Sequence, residues 1–108
     1  MSPNYNVYVI QLDEQITQHA SFCDANPNRD PEKPCVYVGQ SVHSPEKRFQ
    51  QHCDDYRSSR HAHRYGQQLM PDIYQNWNPI PTREEALERE SQLAEELRSM
   101  GYGVAGGH

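Results

Sequence analysis

The sequence predicts an α+β fold in which a small antiparallel sheet of about three strands is flanked by helices. Residues 5–12 and 35–39 are rich in β-branched and aromatic side chains, as strands are. Strong helix start signals follow at Ser44 and at Thr82. Because the chain has only 108 residues, there is room for one core, formed where these helices pack on the sheet.

The composition indicates a thin core. Only 34% of the residues are apolar, the mean hydropathy is -1.04, and seven tyrosines stand against two phenylalanines and one tryptophan. Tyrosine adds apolar area together with a hydroxyl group, so polar groups are expected close to the core. No apolar run is long enough to span a membrane, and residues 1–4 lack the features of a secretory signal, which predicts a cytoplasmic location.

Three cysteines, Cys23, Cys35 and Cys53, are expected to be reduced and buried or half-buried. An odd number of thiols cannot pair completely within one chain, and their spacings match no zinc-binding motif. A structural metal bound by these thiols is therefore not expected.

Residues 13–34 separate the two predicted strands and form a predicted surface insertion. Turn formers such as Asn26-Pro27 occur in it, and a short helical piece is predicted at about residues 15–22. The insertion interrupts a single domain that covers residues 1–108, and the sequence does not indicate its role.

The helix that begins at Ser44 is predicted to run to about residue 56. Ser44 is a favoured N-cap residue, and Pro45 suits the first turn. Arg48 and His52 are four residues apart and therefore lie one above the other on one face. The buried face is predicted to consist of Phe49, Cys53 and Tyr56.

Weaker signals follow this helix. A shorter helix is predicted at about residues 60–68, and a short strand at residues 69–74. Pro71 cannot donate a ladder hydrogen bond, so that strand is expected at the edge of the sheet.

Glu90 stands in the apolar stripe of the last predicted helix. Thr82 and Glu85 form a capping box that opens this helix, and Gly101 ends it. A buried carboxylate needs a cation or strong donors, so a metal ion or an arginine is expected to face it. The alternative is a glutamate at the edge of the stripe that bends into solvent. The apolar members of the stripe are Ala86, Leu93, Leu97 and Met100.

Charge is unevenly distributed along a chain whose net charge is -5. Residues 47–64 carry five lysines or arginines against two aspartates, whereas residues 83–98 carry three arginines against six glutamates. The basic segment is predicted to contact a nucleic-acid backbone, and the alternative is an ordinary solvated surface. The candidate nucleic-acid-binding residues are Lys47, Arg57, Arg60, His61, His63 and Arg64.

The order of these features resembles the GIY-YIG nuclease superfamily, which includes phage homing endonucleases. The sequence Asn-Val-Tyr at residues 6–8 stands at the first motif, and Tyr-Val-Gly at residues 37–39 stands at the second. Arg48 and His52 match a pair found in homing members, and Glu90 matches the metal-binding glutamate of the family. The resemblance covers nearly the whole chain, which looks like a small stand-alone member of bacterial or phage type.

The resemblance implies a metal-dependent endonuclease that favours DNA and uses Mg²⁺ or Mn²⁺. Glu90 would bind the cation, and Arg48 would bind phosphate and stabilise the transition state. Tyr8 is the favoured general base and Tyr37 its positioning partner, although a cation must lower a tyrosine pKa of about 10. His52 would hydrogen-bond one tyrosine or a phosphate, and the alternative is a solvent-facing histidine.

The sequence departs from the family pattern at two positions. Asn6 replaces the glycine of the first motif, which is expected to alter local packing more than chemistry. Gly103 replaces an asparagine, so a supporting polar contact is absent or comes from elsewhere, and other functions stay open. The alternatives are a nucleic-acid-binding module without turnover and a protein-interaction adaptor whose acidic last helix docks a partner. Cleavage of both strands would require a homodimer, two sequential visits or a targeting protein.

Overall fold

The computed structural model describes residues 4–54 and 60–107, apart from the side chains of Arg60 and His61. Within that part a four-stranded sheet has the order β3-β1-β2-β4. β1 pairs antiparallel with β2 and β3, whereas β2 and β4 run parallel. The strands are β1 (Asn6–Leu12), β2 (Cys35–Ser41), β3 (Gly66–Leu69) and β4 (Gly103–Gly106).

The predicted α+β class is confirmed, but the predicted sheet is wrong in two respects. It has four strands rather than about three, and it is mixed rather than antiparallel. The sequence does not predict β4 because Gly103–Gly106 contains two glycines and lacks the β-branched pattern of the other strands. Parallel pairing with β2 supplies its hydrogen bonds, and the helices between the two strands provide the crossover.

The register of β1 and β2 places the two motif segments side by side. Tyr8 lies opposite Gly39, and Ile10 lies opposite Tyr37. Because alternate residues of a strand share a face, Tyr8 and Tyr37 project from the same face of the sheet. The opposite face is also covered, since its valines are fully buried at positions 7, 9, 36 and 38.

The insertion packs on the core instead of lying loosely on the surface. It contains a 3-10 helix (Glu14–Gln18) and the helix α1 (Ala20–Ala25), where the sequence predicts one helical piece. His19 separates the two because its backbone is extended. Ile16 and Phe22 are buried, so each helical turn contributes one apolar side chain to the core.

Helix α2 (Pro45–Cys53) begins as predicted and ends earlier than predicted. The Ser44 hydroxyl accepts a hydrogen bond from the Lys47 amide at 3.2 Å, which confirms the N-cap. The predicted buried face is wrong, because Cys53 is exposed while His52 is fully buried. The face with His52 contacts Tyr8 of β1 and so turns towards the sheet. Phe49 is half-buried, and Tyr56 lies outside the described residues.

The segment after α2 also differs from the prediction. Helix α3 (Arg60–Tyr65) leads directly into β3, and α4 (Pro71–Tyr74) follows where a strand is predicted at residues 69–74. Pro71 begins that helix, a position where the missing N–H costs no hydrogen bond.

Helix α5 (Arg83–Ser99) carries the predicted stripe with one exception. The Thr82 hydroxyl accepts a hydrogen bond from the Glu85 amide at 3.2 Å, as the capping box requires. Met100 follows the last helical turn and is 56% exposed, so its assignment to the stripe is wrong. Glu90 is only 5% exposed, so the alternative of a glutamate that bends into solvent is wrong.

The three thiols are free, as predicted, but Cys23 and Cys53 are exposed and only Cys35 is buried. In the described part of the chain, no helix is long and apolar enough to cross a membrane.

Candidate active site

The Tyr8 side chain lies at the centre of the site and is 1% exposed. Its phenol ring lies directly over the backbone of Gly39, the residue opposite it on β2. A Cβ atom at position 39 would lie 2.5 Å from the hydroxyl oxygen and 2.6 Å from the ring carbon that bears it. With the Tyr8 hydroxyl in this position, only glycine fits at position 39 of the second motif.

His52 binds this hydroxyl from helix α2. Its Nε2 lies 3.0 Å from the Tyr8 oxygen, and the imidazole is fully buried. The two ring centroids are 5.9 Å apart. Among the two roles predicted for His52, the structure shows the hydrogen bond to a tyrosine, and the alternative of a solvent-facing histidine is wrong.

Tyr37 completes a cluster of three rings. Its ring centroid is 6.2 Å from that of Tyr8 and 5.5 Å from that of His52, which it meets edge-on at an interplanar angle of 68°. Tyr37 is half-buried, whereas the other two rings are enclosed. The Tyr37 ring therefore lies on the open side of the cluster.

Arg48 contacts the same hydroxyl from one turn earlier on α2. Its guanidinium group hydrogen-bonds the Tyr8 side chain. Its Nη1 also donates to the Gln51 side chain at 3.0 Å. Because a phenol oxygen can accept two hydrogen bonds, Arg48 and Nε2 of His52 can both be directed at the Tyr8 oxygen.

Glu90 brings a carboxylate from α5 into the same region. Its negative charge acts on Tyr8, and it lies in the buried stripe of the helix. The five residues predicted as catalytic, Tyr8, Tyr37, Arg48, His52 and Glu90, are thus brought together from two strands and two helices.

Burial dominates the ionisation of the Tyr8–His52 pair. The pKa of Tyr8 is raised above its ordinary value, chiefly by burial and also by Tyr37 and Glu90, and the nearby Arg48 only partly offsets this. Burial, assisted by the positive charge of Arg48, lowers the pKa of His52 to about 4. At neutral pH both groups are therefore uncharged.

The predicted nucleic-acid-binding residues are only partly described. Lys47, His63 and Arg64 are exposed. Nδ1 of His63 donates to the carbonyl of His52 at 2.9 Å, which joins α3 to the end of α2. Arg57 and the side chains of Arg60 and His61 lie outside the described residues.

Sequence reasoning missed two supporting contacts. Asn78 pairs with the backbone of Val7, accepting from its N–H at 2.9 Å and donating to its carbonyl at 2.8 Å. Asn6, at the position of the first-motif glycine, donates to the His43 carbonyl at 3.2 Å in the loop before α2. Long-range contacts of this kind leave no local signal in the sequence.

A cation at Glu90 would have few protein ligands. Within residues 4–54 and 60–107 no group of three or more histidine, cysteine or acidic side chains could hold a metal ion. The buried carboxylate of Glu90 offers hard oxygen ligands, and Mg²⁺ is commonly bound by one or two carboxylates together with substrate oxygens and water. The donor set therefore fits Mg²⁺ or Mn²⁺ in this role.

A separate open cavity of about 630 Å³ lies at the other end of the strands. Leu12 and Cys35, which line it, are each four residues from Tyr8 and Gly39, or about 13 Å along the strand. It is not part of the cluster around Tyr8.

Comparison with known proteins agrees with this arrangement. The model of the GIY-YIG catalytic domain matches residues 5–103, which include all five clustered residues. Neither the search of curated proteins nor that of solved structures found a match.

Proposed function

Because the chain belongs to the GIY-YIG family, we propose that it is a metal-dependent endonuclease that hydrolyses phosphodiester bonds, with DNA as the favoured substrate. The observation that supports this most directly is the Tyr8 hydroxyl, which binds both His52 and Arg48 close to the buried carboxylate of Glu90. Hydrolysis of a phosphodiester needs an activated water, positive charge at the phosphate and help for the leaving oxygen. The cluster offers a group for each task.

Arg48 is the phosphate-binding group in this proposal. Its guanidinium is permanently charged, planar and suited to phosphate oxygens. Arg48 already contacts Tyr8, so a phosphate bound by Arg48 would lie next to the phenol oxygen that takes a proton from the attacking water. This shared position lets one side chain bind the substrate and stabilise the charge that develops during attack.

Tyr8 is the general base, and His52 orients it. Direct transfer of the Tyr8 proton to His52 is unfavourable, because a pKa of about 4 on the imidazole and one above 10 on the phenol differ by at least about 6 units, or about 8 kcal/mol. His52 therefore holds the Tyr8 oxygen in place without taking its proton, and Tyr8 must first lose that proton to solvent in order to act as a base. The phenolate oxygen then accepts a proton from the attacking water as the water oxygen bonds to phosphorus.

Glu90 would hold the cation, Mg²⁺ or Mn²⁺. When bound, the cation supplies charge neutralisation at the phosphate and at the leaving 3′ oxygen, and favours the ionised form of nearby acids. Tyr37 lies on the open side of the cluster and positions Tyr8 and the water.

The nucleic-acid backbone would follow the exposed basic residues beside α2. Lys47 precedes Arg48 on this helix, and His63 is joined to its last turn. On the basis of the sequence alone, Arg57, Arg60, His61 and Arg64 remain candidates for contact with the same backbone. A single site of this kind cuts one strand per visit, so a double-strand break would require a homodimer, two sequential visits or a targeting protein.

Incubation of supercoiled plasmid with the protein tests the proposal. Nicking that needs Mg²⁺ or Mn²⁺, stops on chelation and is lost in Glu90→Ala is the expected result. A salt-sensitive gel shift without nicking would favour a nucleic-acid-binding module over an enzyme, because phosphate contacts weaken as the salt concentration rises. If the protein neither nicks nor binds DNA or RNA, the result would favour the protein-interaction adaptor.

A further inference from the structure

Asn26, in the insertion, makes a closed set of hydrogen bonds to the edge strand β4. Its Oδ1 accepts from the Val104 amide at 2.9 Å, and its Nδ2 donates to the Val104 carbonyl at 3.0 Å and to the Phe22 carbonyl at 2.8 Å. Nε of Arg98 donates to the same Oδ1 at 3.2 Å. Asn26 is 6% exposed, so all four hydrogen-bonding positions of its amide are used inside the protein.

This amide takes the place of a further strand. β4 is the last strand of the sheet, so its outer backbone groups have no neighbouring strand to bind. Both groups of Val104 are instead bound by the Asn26 side chain, and Nη2 of Arg98 adds a contact to the carbonyl at 3.4 Å. The insertion therefore fixes β4 from the side opposite to β2.

The far end of β4 lies against one proposed catalytic residue, and the residue after the strand lies beside the backbone of another. Gly106 lies against the Tyr37 ring, and a Cβ atom there would be 2.9 Å and 3.1 Å from two ring carbons. Gly107, the next residue, packs on α5 beside Ala94, where a Cβ atom would lie 3.6 Å from the carbonyl oxygen of Glu90. The end of β4 is thus placed between Tyr37 and the turn of α5 that carries Glu90.

We propose that Asn26 is a positioning residue of the active site, through which the insertion holds β4 and thereby sets the places of Tyr37 and Glu90. The inference rests on the proposed nuclease function for its effect on rate, but its structural step stands independently.

The test compares Asn26→Ala with Asn28→Ala, a matched control in the same loop whose side chain is exposed. In Asn26→Ala the Val104 amide should exchange its hydrogen at least about tenfold faster, because its acceptor is gone. The Tyr37 ring resonances of tyrosine-labelled protein should shift. The kcat should fall by about 10- to 100-fold, the scale of a small misplacement of reacting groups, while KM and DNA affinity stay within about twofold. Asn28→Ala should match the wild type in every measurement.

Faster Val104 exchange with unchanged Tyr37 resonances and unchanged kcat would overturn the proposal, because Asn26 would then stabilise β4 only. If Asn26→Ala does not fold, Asn26→Asp decides by the Tyr37 resonances and kcat, since it keeps the acceptor for the Val104 amide and for Arg98 and loses the donor to the Val104 carbonyl. If the wild type cuts no nucleic acid, the nuclease proposal fails, whereas the response of the Tyr37 resonances still supports or overturns the positional link.

Discussion

The hydroxyl oxygen of Tyr8 lies 3.0 Å from Nε2 of His52, and both side chains are buried. The pair joins the first strand to helix α2 across 44 residues of sequence. Burial raises the pKa of the phenol and lowers that of the imidazole, so both stay neutral at physiological pH. An uncharged pair can be enclosed at little cost and still hold a reactive oxygen in place.

Tyr8→Phe should keep the fold and reduce the cleavage rate by about 10² or more, the usual scale for a positioned base. Tyr37→Phe should reduce the cleavage rate by a smaller factor. Because the pKa of Tyr8 is raised above its ordinary value of about 10, the wild-type rate should still be rising with pH at about pH 9, and Tyr8→Phe should remove that rise. Rate profiles against pH for both variants decide the assignment. An unchanged Tyr8→Phe rate beside a collapse in Tyr37→Phe would exchange the two roles.

His52 should make the protein less stable in acid. Its pKa is about 4 in the folded state against about 6.5 when unfolded, so its contribution is complete above pH 6.5 and is lost as the pH falls towards 4. The wild type should lose about 2 kcal/mol of unfolding free energy from this group between pH 7 and pH 5. Urea unfolding at both pH values measures the loss, and His52→Gln should lack it. Equal pH dependence in the two proteins would contradict the assignment.

Glu90→Ala should abolish metal-dependent cleavage and leave DNA binding nearly intact. Thermal stability should be unchanged or higher, because a buried charge is removed. Glu95→Ala is the control, since Glu95 is an exposed acid on the same helix. Titration with Mg²⁺ and thermal unfolding of both variants are the measurements. If Glu90→Ala unfolds and Mg²⁺ has no effect on the wild type, the carboxylate has a structural role instead.

Arg48→Ala should weaken both DNA binding and cleavage, because Arg48 contacts Tyr8 and is proposed to bind the phosphate. Lys47→Ala, at the neighbouring exposed position, should lower affinity and reduce the salt dependence of binding by about one counterion while leaving the saturated rate unchanged. Binding at several salt concentrations and single-turnover rates separate the two effects. If both variants lose DNA affinity equally and keep the saturated rate, Arg48 contributes only positive charge to DNA binding and has no part in the cleavage step.

Gly39→Ala should destabilise the protein by about 1–3 kcal/mol, the usual cost of an added methyl group in a packed core. The new Cβ atom would overlap the Tyr8 hydroxyl, so cleavage should fall as well. The same substitution in a Tyr8→Ala background should cost less, because the ring is absent. Urea unfolding of the two pairs measures the difference, and equal costs in both backgrounds would show that the contact with Tyr8 is not the cause.

The sequence by itself determined the two central strands, the caps at Ser44 and Thr82, and the place of Glu90 in the apolar stripe of its helix. These features depend on the alternation of side chains, on hydroxyls beside free backbone amides and on helical spacing, all of which act over a few residues. The resemblance to the GIY-YIG family, now confirmed by the match to residues 5–103, was carried by the same short segments.

Only the tertiary structure decided that His52 is buried, that the short segment after Gly101 forms a parallel strand, and that Asn26 binds it. His52 turns inwards because Tyr8, on another element, offers it a hydrogen bond. Gly103–Gly106 becomes a strand because β2 and Asn26 satisfy its backbone from both sides. Each of these outcomes depends on a partner distant in sequence, and local pattern carries no record of such partners.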